Sequence, residues 1–297
     1  MFWIFLVLVA HFTWALENVY TKIVIGSKIK NPYIFLILIT ILSVLILPFI
    51  DYKYVILPAD NTIWWLLLAG LFYNLAGFPY VKAMELEEVT RINILWNIIP
   101  IFSLILGWIL IGDKISVIEF IAMIFLLTGA IIASLKKTNS TFKLSRAFWL
   151  MLLASLFYAL YAIVIRHLSS STPFQTIFFW TVLFDAIIIS TIFIFKSIRK
   201  DFVQTIQSNS IVFFVLFFVV VIVSNIGTLL VQWSLTIKPA ALVFSLEGFQ
   251  SLFVFCLAII AAKFSPKFIA ESTSPKNLLV KFLAFLFVMV GVVLLAF

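Results

Sequence analysis

Residues 80–135 read YVKAMELEEVTRINILWNIIPIFSLILGWILIGDKISVIEFIAMIFLLTGAIIASL, and this stretch decides the fold class. After a short charged turn, residues 92–111 contain no charged side chain. A helix of about 20 apolar residues is long enough to cross ~30 Å of hydrocarbon. A Gly-Asp-Lys turn at 112–114 then reverses the chain, and residues 115–135 form a second apolar segment. The stretch therefore predicts two membrane-spanning helices joined by a tight turn.

The composition of the whole chain agrees with a membrane protein. Of its 297 residues, 65% are hydrophobic and 11% are charged, whereas a soluble domain is about half apolar and a quarter charged. The apolar runs are continuous rather than alternating, which favours helices over a barrel. The net charge of +8 does not indicate a nucleic-acid partner, because the Lys and Arg residues fall in the loops between spans.

Ten spans are predicted, which makes the chain an all-α polytopic membrane protein. A polar linker at 136–146 divides it into two units of five spans, residues 1–137 and residues 138–297. The predicted spans are 2–22, 32–50, 62–82, 90–112, 115–135, 147–167, 173–195, 211–235, 239–262 and 277–297.

Weak internal symmetry relates the two units. A shift of 150 positions places Gly77 on Gly227, and a shift of 144 places Lys22 on Arg166. After an insertion of 12, four residues of the fifth span fall on identical residues of the tenth, namely Phe120, Ala122, Phe125 and Gly129 on Phe282, Ala284, Phe287 and Gly291. A unit of five spans ends on the opposite side of the membrane from its start. The second unit is therefore predicted to be inverted relative to the first.

Loop charges predict the orientation. The odd-numbered loops hold 16 Lys and Arg residues and the even-numbered loops hold 4. By the positive-inside rule, the odd-numbered loops are cytoplasmic and both termini face outward.

These features resemble the EamA-type permeases of the drug/metabolite transporter superfamily. The residues that carry the resemblance are Lys22 closing the first span, Ala83 before the fourth span, Pro100 within it, the Gly112-Asp113 turn and Gly129. The chain departs from the family at Asp113, where Glu is usual, and at Lys263 in the second copy of that turn. Many relatives have both termini in the cytoplasm, opposite to the orientation that the loop charges predict.

Signatures of an enzyme are missing from the sequence. It has no phosphate-binding Gly-rich loop, no G-x-S-x-G elbow and no H-E-x-x-H motif. Two His and one Cys lie far apart along the chain. We therefore expect no enzymatic activity, no cofactor and no metal site.

Polar and aromatic side chains within the spans are the candidates for a central cavity. In the fourth span, Asn93, Trp96, Asn97 and Pro100 share one helical face. The cavity set also includes residues of spans 1, 3, 6, 8 and 9: Trp14, Asn18, Tyr73, Asn74, Tyr158, Tyr161, Asn225, Glu247 and Gln250. The alternatives are helix packing for the Asn residues and contact with lipid for the Trp residues.

Ionisable residues inside spans are the candidates for coupling to protons, since each is costly at membrane depth. They are His11, Glu17, Asp185 and Glu247. Asp185 and Glu247 have a purely structural alternative, a buried contact with another helix. Pro100 either acts as a hinge or only shapes the packing of its helix.

The resemblance implies a secondary active transporter of the bacterial inner membrane. It would export a small organic metabolite, amino-acid-like or amphipathic and aromatic, by alternating access, with protons as a possible coupling ion. The partners are therefore a small-molecule substrate and the lipid bilayer. The alternatives are a lipid-carrier flippase of the same fold and a membrane scaffold that transports nothing.

Overall fold

The computed structural model describes the chain except residues 1, 26, 59–60, 113–115, 139–140, 265–273 and 297. Its α-helices are α1 (Phe2–Val24), α2 (Pro32–Ser43), α3 (Asn61–Leu86), α4 (Val89–Trp96), α5 (Ile99–Ile111), α6 (Val117–Ser134), α7 (Arg146–Leu168), α8 (Phe174–Ser190), α9 (Lys196–Ser208), α10 (Ile211–Ile237), α11 (Ala240–Phe244), α12 (Glu247–Phe264) and α13 (Pro275–Ala296). Three 3₁₀ turns cover Val44–Phe49, Tyr52–Tyr54 and Thr191–Ile194. Strands β1 (Leu135–Thr138) and β2 (Thr141–Leu144) pair antiparallel in the predicted linker.

The helices confirm the prediction of an all-α polytopic membrane protein. Within the described residues, nine helical segments are long and apolar enough to cross a membrane. The fifth predicted span, residues 115–135, corresponds to a shorter apolar helix at Val117–Ala133. The Asp113–Lys114 turn predicted before it lies outside the described residues, although Gly112 closes α5 in the left-handed conformation with φ of 79°. Glycine adopts that conformation without a steric cost.

The odd-numbered and the even-numbered loops gather at opposite ends of the bundle. At the odd-loop end, Nζ of Lys281 lies 2.5 Å from a carboxylate oxygen of Glu88, which joins α13 to the loop between α3 and α4. At the even-loop end, Trp180 Nε1 donates a hydrogen bond to the carbonyl of Ile56 at 2.9 Å. The loops that the charge count groups together are therefore neighbours in space.

Two of the predicted spans are broken rather than continuous. In the fourth span, α4 ends at Trp96 and α5 begins at Ile99. Pro100 lies in the first turn of α5, where the missing N–H of proline costs least. The predicted bend is thus a break that precedes the proline.

The ninth span is broken in the same way between α11 and α12 at residues 245–246. No proline marks this second break, and sequence analysis predicted a continuous helix there. The shift of 150 positions places Pro100 on Gln250. The ninth span is therefore broken although it has no proline at the matching position.

Helices α6 and α13 pack closely through two glycines. A Cβ atom at Gly129 would lie 2.8 Å from the carbonyl oxygen of Ala284, and one at Gly291 would lie 3.0 Å from that of Ala122. Small residues at such positions allow two backbones to approach. Between the two contacts, the rings of Phe125 and Phe287 lie 5.8 Å apart.

Helix α9 was predicted as part of a loop. It carries polar and basic residues along most of its length, and Ile198 and Phe202 pack against the apolar core. Asn31 at the start of α2 donates a hydrogen bond to Asp201 of α9 at 2.8 Å. The helix is too polar to span a membrane, and it lies at the odd-loop end of the bundle.

Candidate substrate cavity

A cavity lies among the central parts of the long helices. Its walls come from α1, α2, α3, α4, α5, α7, α8, α10 and α12.

Most of the residues predicted for the site lie in these walls. The lining includes ten of them: Trp14, Glu17, Asn18, Tyr73, Trp96, Tyr158, Asp185, Asn225, Glu247 and Gln250. The other predicted residues are not part of the lining, namely His11, Asn74, Asn93, Asn97, Pro100 and Tyr161.

A chain of hydrogen bonds connects α1, α3, α4 and α12 beside the cavity. His11 Nδ1 donates to Gln250 Oε1 at 2.8 Å, and Gln250 Nε2 donates to Asn93 Oδ1 at 3.0 Å. Asn18 Nδ2 donates to the same oxygen at 2.7 Å, and the Tyr80 hydroxyl donates to Asn18 Oδ1 at 2.5 Å. His11 and Asn93 therefore support lining residues from behind.

Asn97 stabilises the break between α4 and α5. Its Nδ2 donates to Ser251 Oγ at 3.0 Å and also to carbonyls of its own helix. Ser251 Oγ in turn donates to the carbonyl of Asn93 at 2.9 Å. Carbonyls in the last turn of a helix lack partners of their own. Asn97 accordingly joins the two broken spans rather than facing the cavity.

Two further predicted residues pack behind the opposite wall. Asn74 Nδ2 donates to the carbonyls of Gly70 and Asp185 at 3.0 and 3.1 Å, which ties α3 to α8. The Tyr161 hydroxyl accepts a hydrogen bond from Gln232 Nε2 at 2.6 Å. Interhelical amide bonds of this kind are common inside membrane bundles.

Three carboxylates line the cavity. Glu247 is the first residue of α12, where the helix dipole favours an acidic side chain. Its Oε2 lies 3.8 Å from His11 Nδ1. Among the described residues, neither Glu247 Oε2 nor Asp185 Oδ1 accepts a hydrogen bond. Glu17 accepts one from Thr21 Oγ1 at 2.6 Å.

Aromatic rings form much of the remaining wall around Tyr158. The centroid of its ring lies 6.3 Å from Trp14, 6.0 Å from Tyr73 and 5.8 Å from Trp96. Trp96 also contacts Tyr80 at 5.3 Å. For Trp14 and Trp96, the structure therefore favours cavity lining over contact with lipid.

Residues 1–135 match the family described as the EamA-like transporter family. The match spans the first 135 of the 297 residues. It confirms the resemblance to the drug/metabolite transporter superfamily predicted from sequence, and together with the apolar helices it supports a membrane transporter of that type. The family consists of transporters rather than enzymes.

The fold of the whole chain also matches a solved structure. The match to that crystal structure covers 97% of this chain and 94% of the chain in the crystal structure, with a TM-score of 0.61 and 12% sequence identity. At this identity the match concerns the fold alone. No curated protein matches the sequence.

The EamA-like part supplies 15 of the 24 residues that line the cavity, including Trp14, Glu17, Tyr73, Tyr80 and Trp96. Sequence analysis missed the share contributed by α2, which lines the cavity with Phe35, Leu36, Ile39, Thr40 and Ser43. This face is largely apolar, and no ionisable residue distinguishes it from a surface in contact with lipid.

The residues of α10 that line the cavity could have been predicted from the sequence. Ser224, Thr228 and Gln232 follow one another at intervals of four, which places them on one helical face beside Asn225. Sequence analysis identified the start of this face but did not extend it toward the C-terminus of the helix. Tyr80, two turns after Tyr73, is a similar omission.

Proposed function

We propose that this EamA-like protein is a secondary active transporter that moves a small organic metabolite through the central cavity by alternating access. The observation that carries the proposal is the cavity itself. Its walls combine three buried carboxylates with a group of aromatic rings near the middle of the spans. Ionisable residues at that depth are costly and commonly mark a transport pathway.

The moving parts in this proposal are the two units, residues 1–137 and residues 138–297, arranged as inverted repeats. The contacts between α6 and α13 support it, because Gly129 approaches Ala284 in the way that Gly291 approaches Ala122. Such reciprocal contacts between antiparallel helices are expected around a two-fold axis in the membrane plane. Rocking of one unit against the other would open the cavity to each side in turn.

Coupling to protons is part of the proposal. Glu17, Asp185 and Glu247 line the cavity, and His11 lies behind Glu247. A carboxylate that binds a proton in one state and releases it in another would link substrate movement to the proton gradient. Among these groups, Glu247 has the additional support of its place at the start of a broken helix, a recurring position for ligand sites in transporters.

The proposed substrate is amphipathic or aromatic, the proposed direction is export, and the proposed location is the bacterial inner membrane. Pro100, in the first turn of α5, is proposed as a hinge beside the cavity. A lipid-carrier flippase is less well supported, because the described residues that line the cavity include no Lys or Arg to hold a phosphate headgroup.

A cavity-filling substitution tests the assignment of the site. We would screen the purified protein for metabolites that raise its melting temperature, and then measure counterflow of each hit in proteoliposomes. Thr40→Trp, which fills the cavity from α2, should abolish both the thermal shift and counterflow. Ile124→Trp, a control on the exposed face of α6, should leave both unchanged. Normal counterflow by the Thr40→Trp variant would rule out this cavity as the pathway.

A further inference from the structure

Some polar groups in the cavity wall have hydrogen-bond partners within the protein, and others have none. The N–H donors of two lining residues are already used within the protein: Trp14 Nε1 donates to the carbonyl of Ser224 at 3.3 Å, and Asn225 Nδ2 donates to Ser43 Oγ at 2.8 Å. The amides of Asn18 and Gln250 both donate to Asn93, as described above.

Three acceptors in the same wall have no such partner. Within the described part of the chain, Asp185 Oδ1, Glu247 Oε2 and Gln232 Oε1 are buried and accept no hydrogen bond. Asp185 is 7% exposed and Glu247 is 2% exposed, so bulk water does not readily take the place of a partner. A buried acceptor without a donor is costly, and a buried carboxylate without a counter-charge is more so. A ligand that donates hydrogen bonds and carries positive charge would satisfy these acceptors.

The aromatic rings reinforce this requirement. Tyr158 lines the same cavity as Asp185 and Glu247. The faces of Tyr and Trp rings attract cations, most strongly where water is excluded. The rings of Trp14, Tyr73 and Trp96 around Tyr158 would also cover the apolar body of a ligand.

We propose that the cavity binds a protonated amine carried on an apolar or aromatic body, and that it discriminates against the corresponding amino acid. This inference rests on the proposed function and narrows its substrate class. The ammonium group would donate to Asp185, Glu247 and Gln232, and the rings would enclose the body. The carboxylate of an amino acid would meet three carboxylates and, among the described lining residues, no basic side chain.

Three ligands with the same aromatic body separate the possibilities. They are 2-phenylethylamine, which is protonated at neutral pH, the neutral 2-phenylethanol, and L-phenylalanine, which adds a carboxylate to the amine. Binding to the purified full-length protein would be followed at pH 7 by quenching of Trp fluorescence and by thermal shift. We expect the amine to bind at least ~10-fold more tightly than the alcohol, a cation–π and ion-pair contribution of ordinary size. The amine should also bind more tightly than the amino acid, by a similar factor.

Matched variants assign the effect to the carboxylates. Asp185→Asn and Glu247→Gln should each weaken binding of the amine by about 10-fold and leave binding of the alcohol unchanged. Glu119→Gln is the control, because Glu119 lies half-buried at the start of α6, away from the cavity. If Asp185→Asn unfolds the protein, Glu247→Gln alone still decides the outcome.

The proposal is overturned if the amino acid or the alcohol binds as tightly as the amine, or if none of the three binds. If the amino acid or the alcohol binds as tightly as the amine, counterflow of that ligand would then be measured. Counterflow that occurs in the unmodified protein and is lost in Thr40→Trp would leave the transport assignment intact. If the amine binds but Thr40→Trp affects neither its binding nor counterflow, the cavity is not the transport site, and both proposals fail together.

Discussion

Lys22 and Arg166 play the same structural part in the two halves of the chain. Lys22 Nζ donates hydrogen bonds to the carbonyls of Met84 and Glu87, both at 2.6 Å, and so caps the C-terminus of α3. Arg166 Nη1 donates to two carbonyls in the last turn of α10, at 3.1 and 3.0 Å. Basic side chains satisfy carbonyls at helix C-termini that have no intrahelical partner. The two caps lie at opposite ends of the bundle, as the proposed inverted repeat requires.

Removing either cap should destabilise the protein to a similar extent. Lys22→Met and Arg166→Met keep most of the apolar stem and remove the charged donor. Each should lower the free energy of unfolding by about 1–3 kcal/mol, the usual contribution of a hydrogen bond to a charged group. Thermal melting of the purified variants measures the loss. Lys200→Met on the exposed surface of α9 is the control, and a loss as large for that variant would show that any charge removal has the same effect.

The packing of α6 against α13 gives a second test of symmetry. Gly129→Ala and Gly291→Ala each place a methyl group within 3.0 Å of a backbone carbonyl or closer. The helices must then move apart, which should cost about 1–3 kcal/mol for each variant. Val290→Ile adds one carbon on the exposed face of α13 and should cost little. Melting temperatures that fall for only one of the two glycine variants would argue against equivalent contacts.

The regularity of the apolar pattern explains why the fold was predictable. Runs near 20 residues without charges, such as residues 92–111, leave few structures other than a spanning helix. The break between α11 and α12 was not predictable, because neither Ser245 nor Leu246 is a helix-breaking residue. It depends on tertiary contacts such as the hydrogen bond from Asn97 to Ser251.

The candidate site was predictable where polarity marked it. Glu247 and Asp185 stand out because charged residues are rare in spans. Asn93 and Asn97 were chosen because they share one polar face of the fourth span, yet their side chains bond to a neighbouring helix. Sequence alone does not distinguish an amide that faces a cavity from one that joins two helices, since both lie on the same helical face.

Orientation remains a prediction with a direct test. The excess of 16 over 4 basic residues places the odd-loop end in the cytoplasm. A reporter that is active only in the cytoplasm, fused after residue 297, should therefore give no signal. The same reporter inserted in the 136–146 linker should be active. The reverse pattern would give the orientation that is usual among EamA-type permeases.

The role of Pro100 as a hinge is tested by Pro100→Ala. Asn97 already fixes the break before α5 through its hydrogen bonds, so the variant should fold and keep its melting temperature. If the break must flex during transport, a restored N–H at position 100 should extend the hydrogen-bonded ladder and slow counterflow several-fold. Counterflow at the normal rate would leave Pro100 with a packing role only.

Glu247 is the most sharply testable residue of the cavity. Its carboxylate lies at the break between α11 and α12, 2% exposed, and its Oε2 faces His11 Nδ1 at 3.8 Å without accepting a hydrogen bond from a described residue. Glu247→Gln keeps the shape of the side chain and removes its charge. If Glu247 binds the transported proton, net transport driven by a pH gradient should fall at least ~10-fold. The dependence of the transport rate on pH should also flatten. Thermal stability should hold, because the substitution takes away no hydrogen bond at Oε2. If the carboxylate has only a structural role, we expect the opposite results, namely normal transport across pH and a lower melting temperature. Glu17 or Asp185 would then be the next residue to test for proton coupling.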